Sequence, residues 1–223
     1  MSSRSKVVVQ IARMQSVLQK VVCTRKLSCM PRLKAPQRRE QLIEVATKLF
    51  ARNGYEATTT AAIALAAGVT EPILYRHFKS KQELFVAIVR AVSAQTMEHW
   101  QELIGGISDP VERIRRIAKE FPQHTKALDD AYHVLHGALS TSRDRKVISV
   151  MKEHYAQIET FFASMIRDGQ KAGVFRKDLD PKVPAWQLIM TGIGYAMISL
   201  NLSQFDDAWV REAIDTTLRG MRA

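Results

Sequence analysis

The side chains best suited to chemistry lie in one short stretch of this 223-residue chain. Tyr75, His77, Lys79 and Lys81 place a hydroxyl, an imidazole and two ammonium groups within two helical turns. Such groups donate hydrogen bonds to phosphate oxygens, so they predict anion binding rather than bond cleavage. Lys81 opens a predicted helix, where a cation is unfavourable unless an anion such as phosphate binds there. A solvated lysine on an exposed turn is the alternative.

The net charge of +11 is distributed unevenly. Residues 1–39 hold ten basic and no acidic residues, residues 40–90 hold six basic and five acidic ones, and residues 91–223 hold seventeen of each. Electrostatic attraction to nucleic acid therefore comes from the N-terminal end. A composition of 46% apolar and 25% charged residues is ordinary for a globular protein, which excludes a collagen-like, disulfide-scaffold or wholly disordered chain.

Residues 1–35 are interpreted as a basic, disordered extension, because they contain too little apolar surface for a core. Two alternatives are a start assigned too far upstream, with Met30 as the real one, and an organellar transit peptide. If present, the extension is suited to following phosphates beside the main DNA contact. The only two cysteines, Cys23 and Cys29, lie here, and we expect no metal site from them.

The apolar periodicity is helical throughout, which predicts an all-α fold. The first helix has an apolar face and ends at Gly54. The threonine cluster 58–60 caps a short helix over 61–67, which Gly68 ends. Thr70 restarts a helix that runs through Phe78, and a capping box over 80–83 opens a long fourth helix.

A short helix, a glycine turn and a second short helix form the helix-turn-helix plan. On a helical wheel, Leu74 and Phe78 mark the buried side of the second short helix, so Pro72 and Arg76 point outward. Tyr75 and Lys79 flank that exposed face. A narrow, partly basic face of this kind suits docking in a DNA groove.

Residues 37–89 resemble the DNA-binding domain of the TetR family of bacterial transcriptional regulators. The residues that carry the resemblance are Gly54-Tyr55, Thr59-Thr60, Ile63-Ala64, Ala67-Gly68-Val69, Leu74-Tyr75, His77-Phe78 and Lys79-Ser80-Lys81. The resemblance implies an all-helical homodimer whose two recognition helices enter successive major grooves of a pseudo-palindromic operator. It also implies that a ligand bound in the C-terminal body changes their spacing and releases the DNA.

The resemblance assigns phosphate contacts to Thr60, Tyr75, His77 and Lys81 and base contacts to Thr70, Glu71, Pro72 and Ile73. Arg76 lies beside the base-contacting residues, and Thr59 and Lys79 complete the predicted DNA-binding set. Many family members have an arginine or another polar residue where this chain has Ala61, so we expect weaker contact from that helix. Glu71 either complements the dipole of its own helix, which we favour, or accepts from a cytosine amino group.

Residues 91–223 read as further helices. Helix starts are predicted at Asp109 and Asp180, each followed by proline, and Pro122 is expected to bend or end the first of them. Residues 183–203 carry no charge, so they suit either a bilayer span or a helix buried in a large core, and we favour the core. Gly192 and Ala196 permit close helix approach, and the last two helices of each subunit are predicted to form a four-helix dimer seam, as the resemblance also implies.

No catalytic motif, cofactor motif or metal-ligand set stands out. His133, His136 and His154 are the strongest candidates for a metal cluster, but their spacing lacks an acidic partner, and we interpret them as partly buried histidines. We expect a small apolar effector to bind among aromatic, methionine and polar side chains of the central helices. The predicted ligand-binding residues are Phe121, Tyr132, His136, Tyr155, Phe162, Trp186, Gln187 and Met190.

The sequence thus predicts an all-α protein with three parts. These are an extension over 1–35, a three-helix helix-turn-helix domain over 36–82, and a helical effector-binding and dimerisation domain over 83–223. The predicted function is a cytoplasmic, nucleoid-associated regulator that binds double-stranded DNA, and a repressor released by its ligand, not an enzyme. Alternatives are a non-specific architectural DNA-binding protein and a small-molecule-binding dimer whose DNA-binding domain has decayed.

Overall fold

The computed structural model describes residues 33–202 and 206–223. Residues 36–223 form one compact unit, and of residues 1–35 only the last three are described. The predicted extension therefore lies almost entirely outside the described residues, as do Cys23, Cys29 and Met30. Throughout the described ranges the regular structure is helical, apart from one isolated bridge between Phe175 and Arg222. The helices are α1 (Ala35–Asn53), α2 (Thr60–Ala66), α3 (Glu71–His77), α4 (Lys81–Ile104), α5 (Pro110–Ala127), α6 (Asp129–Thr141), α7 (Arg145–Lys171), α8 (Lys182–Asn201) and α9 (Asp207–Gly220).

The boundaries of the first four helices follow from local chemistry. Gly54 ends α1 with a φ of +79°, a conformation that glycine adopts without steric cost. The Thr59 hydroxyl accepts a hydrogen bond from the Ala62 amide at 3.1 Å and so caps α2. Ser80 caps α4 by accepting from the Glu83 amide, also at 3.1 Å. The Glu83 carboxylate accepts from the Lys79 amide, one residue before the position that a standard capping box uses.

Two apolar cores share α4. Its first half, from Leu84 to Val92, packs with α1, α2 and α3 and with parts of α6 and α7. Trp100, near its C-terminal end, belongs to a second core with α5, α7, α8 and α9. The domain boundary predicted between residues 82 and 83 falls inside α4, so the division into these two domains stays a prediction.

From the sequence, Pro122 is expected to bend or end its helix, and the second alternative is wrong, because α5 continues beyond it to Ala127. Proline removes one helical hydrogen bond and destabilises a helix interior. Here the flanking residues Phe121 and Thr125 are both buried, and tertiary packing of this kind outweighs local propensity.

The uncharged segment contributes α8, which packs into the second core through Ala185, Leu188 and Ile189. Its opposite face carries Val183, Met190 and Met197, which are exposed. None of the helices described here has the length and hydropathy needed to span a bilayer.

The absence of a side chain at Gly169, in α7, allows an aromatic ring to pack against the helix backbone. A Cβ added there would lie 2.2 Å from the Phe175 ring, and Phe175 is almost fully buried. The ring therefore packs directly on the helix backbone after the chain turns at Gly173.

We expect Gly169→Ala to lower the free energy of unfolding by about 1–3 kcal/mol, because the methyl group must displace a buried ring. Gly137→Ala is the matched control, since a Cβ there meets nothing within 4 Å and alanine favours a helix interior by about 1 kcal/mol. Urea denaturation of the full chain measures both. Wild-type stability in Gly169→Ala would contradict the described packing.

Candidate nucleic-acid interface and ligand cavity

Helix α3 is oriented as the helical wheel predicts. Leu74 and Phe78 are fully buried, while Pro72, Tyr75 and Arg76 are exposed. The burial of the two apolar side chains on one side of this short helix fixes which side faces solvent. The predicted orientation of the recognition helix is confirmed.

A polar network joins α2 to α3. The Thr60 hydroxyl donates to the Glu71 carboxylate at 2.6 Å and lies 3.2 Å from the Tyr75 hydroxyl. The sequence suggests two alternative roles for Glu71, to complement the dipole of its own helix or to recognise a base. The structure adds the hydrogen bond from Thr60 on α2. The two helices of the helix-turn-helix are thus linked on the side that carries Tyr75.

Lys81 makes a local contact that the sequence did not predict. Its ammonium donates to the backbone oxygens of Tyr55 at 2.8 Å and Glu56 at 3.2 Å, and it lies 4.5 Å from the centre of the Tyr55 ring. These contacts hold the turn after α1 against the start of α4. Burial is the main cause that raises the pKa of Tyr55 to about 12. A phosphate contact by Lys81 remains a prediction.

The other predicted DNA-binding residues are at least partly accessible. Thr59, Thr70 and Lys79 are exposed, and Ile73 and His77 are half-buried. The sequence analysis did not single out Leu65, on α2, although 82% of its surface is exposed.

A cavity of about 60 Å³ lies in the helical body. Its walls are apolar side chains of α4 to α9, with a few polar groups among them. Five of the predicted ligand-binding residues line it: Phe121, Tyr132, His136, Tyr155 and Phe162.

The other three predicted ligand-binding residues, Trp186, Gln187 and Met190, do not line the cavity. They lie on the exposed face of α8, and the Trp186 indole donates to the Glu159 carboxylate at 2.8 Å. Helix α8 is apolar on all sides, so its sequence does not distinguish the face toward the cavity from the face toward solvent. Leu188, Ile189 and neighbouring residues of the inward face line the cavity instead.

Sequence reasoning also missed the cavity residues of α4 and one histidine of α7. Val92, Thr96 and Trp100 line the cavity from α4, and His154 lines it from α7. The spacing of four between the α4 residues places them on one helix face, and this pattern was a usable signal.

Three histidines are buried in the helical body, and two of them, His136 and His154, line the cavity. His154 Nδ1 lies 2.6 Å from Ser93 Oγ, and His124 Nε2 lies 3.3 Å from Thr96 Oγ1. His136 is the third, and it belongs to the cavity wall. Burial lowers the pKa of each of these histidines to about 4, so all three are neutral at pH 7. Within the described ranges, no three His, Cys, Asp or Glu side chains are grouped to hold a metal ion.

The comparisons with known proteins agree with this geometry. Residues 42–88, from α1 into α4, match the family model described as bacterial regulatory proteins, tetR family. The nucleoid occlusion factor SlmA of Marinobacter nauticus is 26% identical over 80% of this chain and 96% of its own length. The transcriptional repressor KstR2 of Mycobacterium tuberculosis is 29% identical over 64% of this chain and 72% of its own length.

The match identifies residues 42–88 as a TetR-type DNA-binding domain. The chain is a DNA-binding transcriptional regulator with an N-terminal helix-turn-helix and a helical C-terminal part. The structural similarity is not confined to the helix-turn-helix. The structure of FadR from Bacillus subtilis in complex with stearoyl-CoA matches 82% of this chain and 99% of FadR, with a TM-score of 0.70 at 17% identity.

We expect the buried histidines to make the stability of the protein fall as the pH drops from about 6.5 toward 4. In the unfolded chain a histidine takes up a proton near pH 6.5, whereas the buried ring stays neutral down to about pH 4, so acid favours unfolding. Each histidine contributes a slope of at most about 1.4 kcal/mol per pH unit. Thermal denaturation between pH 7 and pH 4.5 measures the effect.

In this experiment His154→Gln is expected to flatten the pH dependence. Ala156→Gln, at an exposed position two residues further along α7, removes no titratable group and is the control that keeps the wild-type slope. Equal slopes in wild type and His154→Gln would show that this ring is not held neutral by burial.

Proposed function

We propose that this regulator is a repressor that binds a pseudo-palindromic operator as a homodimer and leaves it when a small apolar ligand fills the cavity. One observation carries the proposal. Only three residues separate the end of the recognition helix α3 from the start of α4, and α4 continues without interruption to the cavity wall. A displacement of α4 by a ligand is therefore transmitted to the recognition helix.

The exposed residues of α3 suit base recognition. We assign base contacts to Thr70, Glu71, Pro72, Ile73 and Arg76, at the start and on the outer face of this helix. We assign phosphate contacts to side chains around them with hydroxyl, imidazole or ammonium groups, namely Thr59, Thr60, Tyr75, His77, Lys79 and Lys81. The link between Thr60 and Tyr75 supports this division, because it holds the tyrosine hydroxyl at the edge of the helix pair.

The outer face of α8 supports a homodimer through the last two helices. Val183, Trp186, Met190 and Met197 are exposed and follow one another at intervals of three, four and seven residues, as on one helix face. On the adjacent helix α9, 63% of the surface of Trp209 is exposed. Contiguous apolar surface of this kind marks an interface, and two helices from each subunit would form a four-helix seam. We therefore place Trp186 and Met190 in the proposed dimer interface and no longer in the ligand-binding site.

The cavity supports a neutral, mainly apolar effector. None of the side chains that line it is charged at neutral pH, because its histidines are neutral, and an isolated buried charge is costly. Its volume of about 60 Å³ is well below the 300 Å³ or more of typical ligand pockets. An effector must therefore push the helices apart, and α4 is one of them.

The ten basic residues of the first 39 favour a second candidate, a non-specific architectural DNA-binding protein. The two functions differ in their DNA footprints. A repressor protects a discrete inverted repeat, whereas an architectural protein covers DNA without regard to sequence and with a steep dependence on salt. Both candidates act on DNA in the cytoplasm and at the nucleoid.

We expect selection from a random DNA pool to return an inverted repeat, to which Arg76→Ala binds about 10- to 100-fold more weakly because one base contact is lost. Fluorescence anisotropy at fixed salt measures the affinity. Arg176→Ala, in an exposed loop after α7, is the matched control and binds as the wild type does. Recovery of unrelated sequences, or equal affinity of Arg76→Ala and wild type, would contradict the repressor.

A further inference from the structure

The cavity wall carries a hydrogen-bonding pattern that restricts what it binds. This inference rests on the proposed function, since it concerns the effector site. The decisive groups are His154 on α7 and Ser93 on α4, whose side chains lie 2.6 Å apart.

Ser93 fixes the tautomer of His154. The Ser93 hydroxyl lies 2.8 Å from the Val89 carbonyl oxygen and donates to it. A hydroxyl has a single hydrogen, and two oxygens at this distance without a hydrogen between them would repel each other. The short contact between Ser93 Oγ and His154 Nδ1 must therefore use the hydrogen of the imidazole, so Nδ1 carries the proton.

The other ring nitrogen of His154 is then a hydrogen-bond acceptor. A neutral imidazole has one N–H, so Nε2 presents a lone pair. No described residue donates a hydrogen bond to Nε2. Among the described residues, Arg116 Nε is the only side-chain nitrogen or oxygen that is both fully buried and without a partner. The unpartnered Nε2 is therefore not fully buried. His154 lines the cavity, so its unpartnered Nε2 is the ring nitrogen available to a ligand there.

We propose that the cavity selects an apolar ligand with a hydroxyl or N–H group, and that this group donates a hydrogen bond to His154 Nε2. A carboxylate is excluded, because it has only acceptor oxygens and would meet the lone pair of Nε2 in an uncharged site. Ser93 is a positioning residue in this arrangement. It also connects the ligand to α4, since hydrogen bonds in a chain polarise and strengthen one another.

Nitrogen-15 NMR of histidine-labelled, full-length protein tests the tautomer without any ligand. The expected spectrum has His154 protonated at Nδ1 and unprotonated at Nε2, with the signals assigned by their loss in His154→Gln. In Ser93→Ala the hydrogen-bond acceptor is removed, and the preference for Nδ1–H is expected to weaken or reverse. A His154 protonated at Nε2 in the wild type would overturn the proposal.

Phenol and toluene test the selectivity, because they have nearly the same size and differ in one donor. In His154→Leu we expect the affinity for phenol, relative to that for toluene, to be about tenfold lower than in the wild type. This factor corresponds to the loss of one buried hydrogen bond. His133→Leu, outside the cavity, is the control with an unchanged ratio. Phenol, but not toluene, is expected to shift the Nε2 signal of wild-type His154.

The outcomes separate this proposal from the effector site itself. If both compounds bind and the ratio is the same in wild type and His154→Leu, the cavity binds ligands but the donor rule is wrong. If neither compound binds to wild type at millimolar concentration, the cavity is not an effector site, and both proposals fall.

Discussion

The structure depends on the apolar face of α4, which is buried from one end of the helix to the other. Its first half closes the core of the helix-turn-helix, and Trp100 near its end belongs to the core of the helical body. Close-packed cores resist small displacements, so α4 cannot shift at one end without repacking at the other. A regulator needs such an element to connect a ligand with DNA over a long distance.

Polar contacts, rather than further apolar packing, fix the surface that we propose to face DNA. The helix-turn-helix is small, and its short helices α2 and α3 are each seven residues long. Isolated helices of this length are unstable in water. The Thr60–Glu71 hydrogen bond joins them, and Lys81 holds the preceding turn through two backbone oxygens. The DNA-binding surface is thus arranged before DNA arrives, which lowers the entropic cost of binding.

The sequence predicted the elements with strong local signals. Gly54 adopts a positive φ, and Thr59 and Ser80 are of residue types that cap the N-termini of helices. The helix boundaries at these residues could therefore be predicted from local chemistry. The exposed side of α3 also followed, because two large apolar residues define its buried side. Five of the eight residues predicted to bind a ligand line the cavity, because aromatic and polar side chains between helices are typical of cavities; ligand binding by them stays a prediction.

The remaining features depend on packing that local patterns do not contain. Pro122 lies inside a helix because buried neighbours stabilise it, and Trp186 was misplaced because α8 has no polar face to orient it. The tautomer of His154 depends on Ser93, which is 61 residues away in sequence and enters through α4. Such contacts require the three-dimensional structure.

Pulsed electron–electron resonance between two copies of a spin label on α2 tests the account most directly. The label is placed at Leu65, which is 82% exposed, after Cys23→Ser and Cys29→Ser remove the native thiols. The account predicts one narrow distance between subunits on operator DNA, and a different distance when a ligand fills the cavity. A chain without dipolar coupling at high concentration, or a distance unchanged at ligand saturation, would contradict it.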